Sequence, residues 1–111
     1  MISALERRML IGRMIGAYND TRRNLRNIHR QIANRAERMT IIENAKVQDR
    51  SHKRGGANWT RSDEVLYRSH VEKLTFERRR EIETLSRKIV RQEGALDAMK
   101  PVRISPARGA G

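Results

Sequence analysis

Six arginines crowd one short stretch of this chain: Arg22, Arg23, Arg26, Arg30, Arg35 and Arg38, with Glu37 as the single acid among them. Arg22, Arg26 and Arg30 recur at i, i+4 and i+8, so a helix carrying them aligns them in one row. Like charges at that spacing cost a helix roughly 0.2–0.5 kcal/mol per pair. A guanidinium group is a planar fork that grips phosphate or carboxylate through two N–H groups. The chemistry on offer is therefore capture of a polyanion, either nucleic acid or an acidic protein surface. The competing reading is a solvated basic face with no specific ligand. A second basic focus holds Arg50, His52, Lys53 and Arg54 beside Gly55 and Gly56, with Trp59 close behind. Such a tip suits gripping a backbone and stacking on a base, with Lys53 and Arg54 as its candidate contacts; equally, Trp59 can simply seal the top of a helical seam.

Catalytic chemistry finds little to work with. His29, His52 and His70 stand apart, without a partner at metal-ligand spacing. There is no glycine-rich phosphate loop. Glu81 and Glu83 sit among Arg78, Arg79, Arg80 and Arg87, which makes them ordinary ion-pair members. The chain has no cysteine, so disulfides, thiolate metal sites and cysteine nucleophiles are excluded. The expectation is a non-enzymatic protein with no cofactor and no metal.

Composition points the same way. The 111 residues carry a net charge of +12, from 25 Lys plus Arg against 13 Asp plus Glu. Hydrophobic residues make up 37% of the chain, too little for a deep-pocketed globule of this length. No apolar run approaches the ~20 residues of a membrane-spanning helix. The apolar, basic N-terminus from Met1 to Tyr18 has the composition of a targeting peptide. Its periodicity, however, continues without a break into the following residues, as in the start of a structural helix. No secretion signal is evident, and the expected location is intracellular or within a macromolecular particle.

The elements that must position these residues are helices. Proline is absent from residues 1 to 100, and no glycine lies between Gly16 and Gly55 or between Gly56 and Gly94. The spacing predicts an all-α chain: one helix over about 2–49, a loop over about 50–59, a second helix over about 60–99, and a flexible basic tail over 101–111. In the first segment Ile11, Met14, Tyr18, Leu25, Ile28, Ile32, Met39 and Ile42 follow a seven-residue repeat, interrupted by Thr21 and Arg35. In the second, Val71, Leu74, Ile82, Leu85, Ile89, Leu96 and Met99 do the same, interrupted by Arg78 and Gln92. Thr60 and Asp63 have the spacing of a reciprocal helix cap, and Trp59 is placed to pack on Val65. The stretch from Trp59 to Glu64 resembles the opening of Myb-like DNA-binding repeats. Those repeats need short helices separated by turns, and no turn signal interrupts residues 61–93. The helix cap accounts for the stretch without them.

Folding the chain at Gly55 makes two long helices an antiparallel coiled-coil hairpin in which the numbers of facing residues total about 110. Ile28 then faces Ile82, Leu25 faces Leu85, and Met39 faces Val71. Ile32 faces Arg78 and Arg35 faces Thr75, so a basic patch interrupts the seam about midway; long stems lying on apolar surface explain it, and so does an acidic partner. Residues 1–10 overhang the second arm, and their Ile2, Leu5, Met9 and Leu10 form an apolar cluster suited to protein interaction. One narrow seam is marginal on its own, so a homo-oligomer or a subunit of a larger complex is expected. Two functions fit. One is sequence-independent nucleic-acid binding as an architectural or assembly component. The other is a coiled-coil adaptor or structural subunit, of a virion or a secretion/export apparatus, docking through the overhang.

Overall fold

The computed structural model describes residues 2–51 and 59–100, which form three α-helices with no strand among them. Met1, residues 52–58, where a loop is expected, and residues 101–111, where a tail is expected, lie outside the described residues, and Lys53 and Arg54 with them. Helix α1 runs unbroken over Ala4–Ser51, 48 residues. At 1.5 Å per residue that is about 72 Å, close to the longest dimension of the molecule, 74 Å. Helices α2 (Arg61–Glu77) and α3 (Arg79–Ala98) follow.

Local sequence explains the helix ends. Ser3 and Glu6 form a capping box at the start of α1, Glu6 N–H donating to Ser3 Oγ (3.1 Å) and Ser3 N–H to Glu6 Oε1 (3.4 Å). The Thr60–Asp63 box forms as the spacing predicts: Asp63 N–H donates to Thr60 Oγ1 (3.1 Å) and Thr60 N–H to Asp63 Oδ2 (2.8 Å). Trp59 packs elsewhere than expected. Its ring meets Tyr67 edge-on at 5.9 Å and its N–H donates to Glu64 Oε1 at 3.1 Å, while Val65 stays exposed. Tyr67 lies two turns into α2 on the side facing α1, so it offers the indole a larger apolar surface than Val65 does.

The second arm is not the single helix expected over 60–99. It breaks for one residue at Arg78, whose backbone sits at φ −105°, ψ 15°. Arg78 N–H is shared between the carbonyls of Leu74 (3.1 Å) and Thr75 (3.2 Å), and Ile82 N–H resumes helical bonding to Arg78 O (3.1 Å). Neither Pro nor Gly marks the place.

Both α2 and α3 pack along α1. Cross-arm hydrogen bonds run in descending order on the second arm as they ascend on the first. Arg7 reaches the Met99 carbonyl, Tyr18 O–H donates to Glu93 Oε2 (2.8 Å), and Arg78 Nη1 donates to Gln31 Oε1 (2.7 Å). His70 Nε2 stands 3.1 Å from Glu43 Oε1, outside hydrogen-bonding alignment. The buried core is Ile28, Ile32, Ala36 and Leu74, with Met39, Tyr67, Val71, Ile82 and Leu85 packed on it.

The seam keeps the heptad through Thr21 and departs from it after Ile32. Thr21, read as an interruption, is buried, because its hydroxyl donates to Ala17 O one turn back (3.0 Å). After Ile32 the seam steps by four to Ala36 and by four again to Thr40, whose hydroxyl donates to Ala36 O (2.8 Å). Arg35 is thereby carried out of the seam, and Ile42 is left exposed. Inserting a step of four into a heptad series locally unwinds a supercoil.

Candidate anion-binding surface

The six arginines of α1 are all exposed, but they do not share one face. Turning about 100° per residue, Arg22 and Arg35 fall on opposite flanks of the seam. Arg26 and Arg30 continue outward from the first flank and Arg38 from the second, so the group forms a belt around the outer side of α1. The seam's extra step after Ile32 sets the position of the second pair.

Two members of the belt have local partners. Arg23 pairs with Asp20 at 3.2 Å, and the Arg22 guanidinium lies 5.4 Å from the Tyr18 ring centroid. Tyr18 itself titrates above its ordinary range, first because its hydroxyl donates to Glu93, with desolvation adding to the effect. Arg26, Arg30, Arg35 and Arg38 make no ion pair among the described residues.

Three cations of the second arm are paired, whereas Arg61, Lys73, Arg80, Arg87, Lys88 and Arg91 make no ion pair among the described residues. Arg68 pairs with Glu64 (2.9 Å), Arg78 with Glu81 (2.9 Å), and Lys100 with Asp97 (3.0 Å). Hydrogen bonds from Arg68, and then from Trp59, hold the Glu64 carboxyl below the usual carboxylate range, and Arg78 does the same for Glu81. Arg79 stacks 4.0 Å from the Phe76 ring centroid and donates to the Phe76 carbonyl (3.0 Å), which satisfies an end of α2. Glu83 makes no ion pair among the described residues.

A groove of about 440 Å³ opens where the second arm breaks. Gln31, Arg35 and Arg38 line one wall, at i, i+4 and i+7 on α1; Glu77 and Arg78 line the other, with Ile32 and Leu74 between them. Arg78 enters it already held by Gln31 and, through two hydrogen bonds, by Glu81 (3.3 and 2.9 Å). Its positive charge is largely answered locally, whereas those of Arg35 and Arg38 are not. The register sets Arg78 opposite Ile32 and Arg35 beside it in one basic patch, and the groove holds all three; Arg38, one turn further along α1, joins them.

The apolar residues of the overhang, Ile2, Leu5, Met9 and Leu10, are exposed. The overhang is shorter than ten residues, because the Arg7 side chain reaches back to the end of α3. Among the described residues no group of three or more His, Asp or Glu side chains is arranged to hold a metal ion, and no helix is long and apolar enough to cross a membrane. No family model, curated protein or solved structure matches this chain.

Proposed function

We propose that the chain is an antiparallel coiled-coil hairpin that binds nucleic acid through the phosphate backbone, without sequence preference, as a non-enzymatic architectural or assembly component. One observation supports the reading: six arginines lie between Arg22 and Arg38 with Glu37 as the single acid, all six are exposed on α1, and Arg26, Arg30, Arg35 and Arg38 have no carboxylate partner among the described residues. Two exposed guanidinium pairs, Arg26 with Arg30 and Arg35 with Arg38, each repel at i, i+4 or i, i+3 spacing and gain most from a ligand carrying regularly spaced negative charge. Arg22 and Arg23 extend the surface along α1.

The test is a titration of labelled duplex and single-stranded nucleic acid at several salt concentrations. Each phosphate neutralised contributes about −0.9 to the logarithmic salt slope on duplex DNA and about −0.7 on single strands. Replacing Arg26, Arg30, Arg35 and Arg38 by Gln flattens the duplex slope by up to about 3.6 if each meets one phosphate. Absence of binding at low salt, or a slope unchanged in the quadruple variant, removes the reading. A second reading is supported by the exposed apolar overhang: docking to another protein as an adaptor or structural subunit, with the arginines steering the approach.

A further inference from the structure

The N-terminal part of α1 carries a pattern that the seam does not use. Ile2, Leu5, Met9, Gly12 and Gly16 fall at i, i+3, i+7, i+10 and i+14, a second heptad stripe. All five are exposed, with Ile2 at 52%, Leu5 at 64% and Met9 at 56%. Ile11, Met14 and Tyr18, which face the second arm, are half-buried and lie on the opposite side of α1. Leu10 belongs to neither series. The stripe stops at Gly16, because Asn19 and Arg23 take the next positions.

The order of residues in the stripe is large, large, large, small, small. A side chain at Gly12 or Gly16 would meet nothing within 4 Å, so both glycines leave open seats on the helix surface. Reversing one copy of the stripe against another brings large onto small. With Met9 of one copy over Gly12 of the other, Leu5 falls over Gly16 and Ile2 over Asn19 at the rim, and twofold symmetry repeats each layer. In an antiparallel coiled coil, the position following the Leu5 layer on one helix meets its equivalent on the other. That pairs Glu6 of one copy with Arg13 of the other, twice. Arg13 has no ion pair among the described residues, and Glu6 otherwise serves only the Ser3 cap. On the far side Arg8 lies over Ile15, which is exposed and can take its aliphatic stem. A parallel pairing instead opposes Arg8 to Arg13 and stacks Gly on Gly.

We infer that Ile2, Leu5, Met9, Gly12 and Gly16 form an isologous interface with a second copy of this chain, the two α1 helices antiparallel and in the register that sets Met9 over Gly12 and Glu6 beside Arg13. The inference refines the docking reading by naming the occupant and stands apart from the phosphate-binding reading. Both second arms lie away from the contact, and each α1 continues past the N-terminus of the other. The symmetry closes, so the assembly stops at two.

Sedimentation of the full chain, free of nucleic acid, tests it. A dimer is expected. Gly12→Leu fills the seat of Met9 while raising helix propensity, so the fold is kept and self-association weakens at least about tenfold. Arg13→Glu weakens it similarly, and Glu6→Arg combined with Arg13→Glu restores it. Because the chain has no cysteine, Leu5→Cys mixed with Gly16→Cys reports the register directly: disulfide between the two unlike variants supports it, and cross-linking of Leu5→Cys to itself overturns it. A monomer at about 100 μM, roughly a −5.5 kcal/mol ceiling on association, overturns the second copy as occupant. A dimer lost with Leu5→Asp and Met9→Asp but indifferent to Gly12→Leu and the charge exchange overturns the register alone. A dimer indifferent to all of these overturns the docking reading with it.

Discussion

Leu74 is the only buried apolar residue contributed by the second arm to the core, at 4% exposure, against 6% for Ile28 on α1. Ranked by burial alone, Leu74→Ala is the more damaging substitution. The groove at Arg78 reverses that order. Each substitution removes three carbons, which by transfer alone is about 2.4 kcal/mol. Truncating a core side chain adds a term for the cavity left behind, which carries typical Leu or Ile to Ala losses across about 2–5 kcal/mol. Leu74 lines the groove of about 440 Å³, so the volume it vacates joins open space and water fills it. Its cost stays near the transfer value. Ile28 is not among the residues that line this groove, so its cost reaches the upper half of the range. Leu74→Ala is therefore milder than Ile28→Ala by about 1 kcal/mol or more. Urea unfolding followed by helical circular dichroism, at one protein concentration throughout, measures both. Equal losses, or a greater loss for Leu74→Ala, refute the reasoning that the groove relieves the cavity. If both alanine variants unfold outright, Leu74→Val and Ile28→Val carry the same comparison at lower cost.

Thr60→Ala removes one half of the capping box on α2 and lowers stability by about 1 kcal/mol, read as a shift in urea midpoint with unchanged slope. Gly94→Ala adds a methyl group that meets nothing within 4 Å in the interior of α3 and raises stability by about 0.5–1 kcal/mol, seen as a higher thermal midpoint. Glu64 and Glu81 both hold their protons less tightly when folded, so the stability they supply is present above the ordinary value of 4.5 and is lost as pH falls below it through the lowered folded values. Unfolding midpoints should drop with acid over that window, and Glu64→Gln with Glu81→Gln should flatten the drop; a midpoint that rises towards acid contradicts the sign.

Much of the fold was legible because its signals are local. Absence of Pro and Gly marks long helices, Thr60 and Asp63 mark a cap, and the two apolar series match in one register, which Tyr18–Glu93 and Gln31–Arg78 follow closely. The break at Arg78 was not legible, since it has no Pro or Gly and depends on how the seam steps on both arms. Thr21, Ala36 and Thr40 were missed as core for a related reason. Their small or polar side chains do not register as knobs, yet a hydroxyl bonded to its own helix one turn back is buried at little cost. That same step after Ile32 decides which arginines share a wall, so spacing gives Arg22, Arg26 and Arg30 as a row and sets Arg35 beside Arg78, but does not bring Arg38 to them. The Ser3–Glu6 cap was present in the sequence and went unread beside the stronger apolar pattern.

The single-residue break at Arg78 divides the second arm into parts of unequal grip. Helix α2 contributes Leu74 to the core and carries the capped start at Thr60, whereas α3 contains no buried residue and no side-chain cap at its beginning. Helices that share few contacts open as separate units, each with its own free energy. The molecule is therefore expected to behave as two clasps on one rod, with α3, which has no buried residue and no side-chain cap at its start, the easier to lift. When α3 lifts, Ile11, Met14, Tyr18 and Leu25 are bared while Ile32 and Ala36 stay covered. A binding event on α1 that favours the bared surface can then draw on an opening that leaves the rest of the molecule folded.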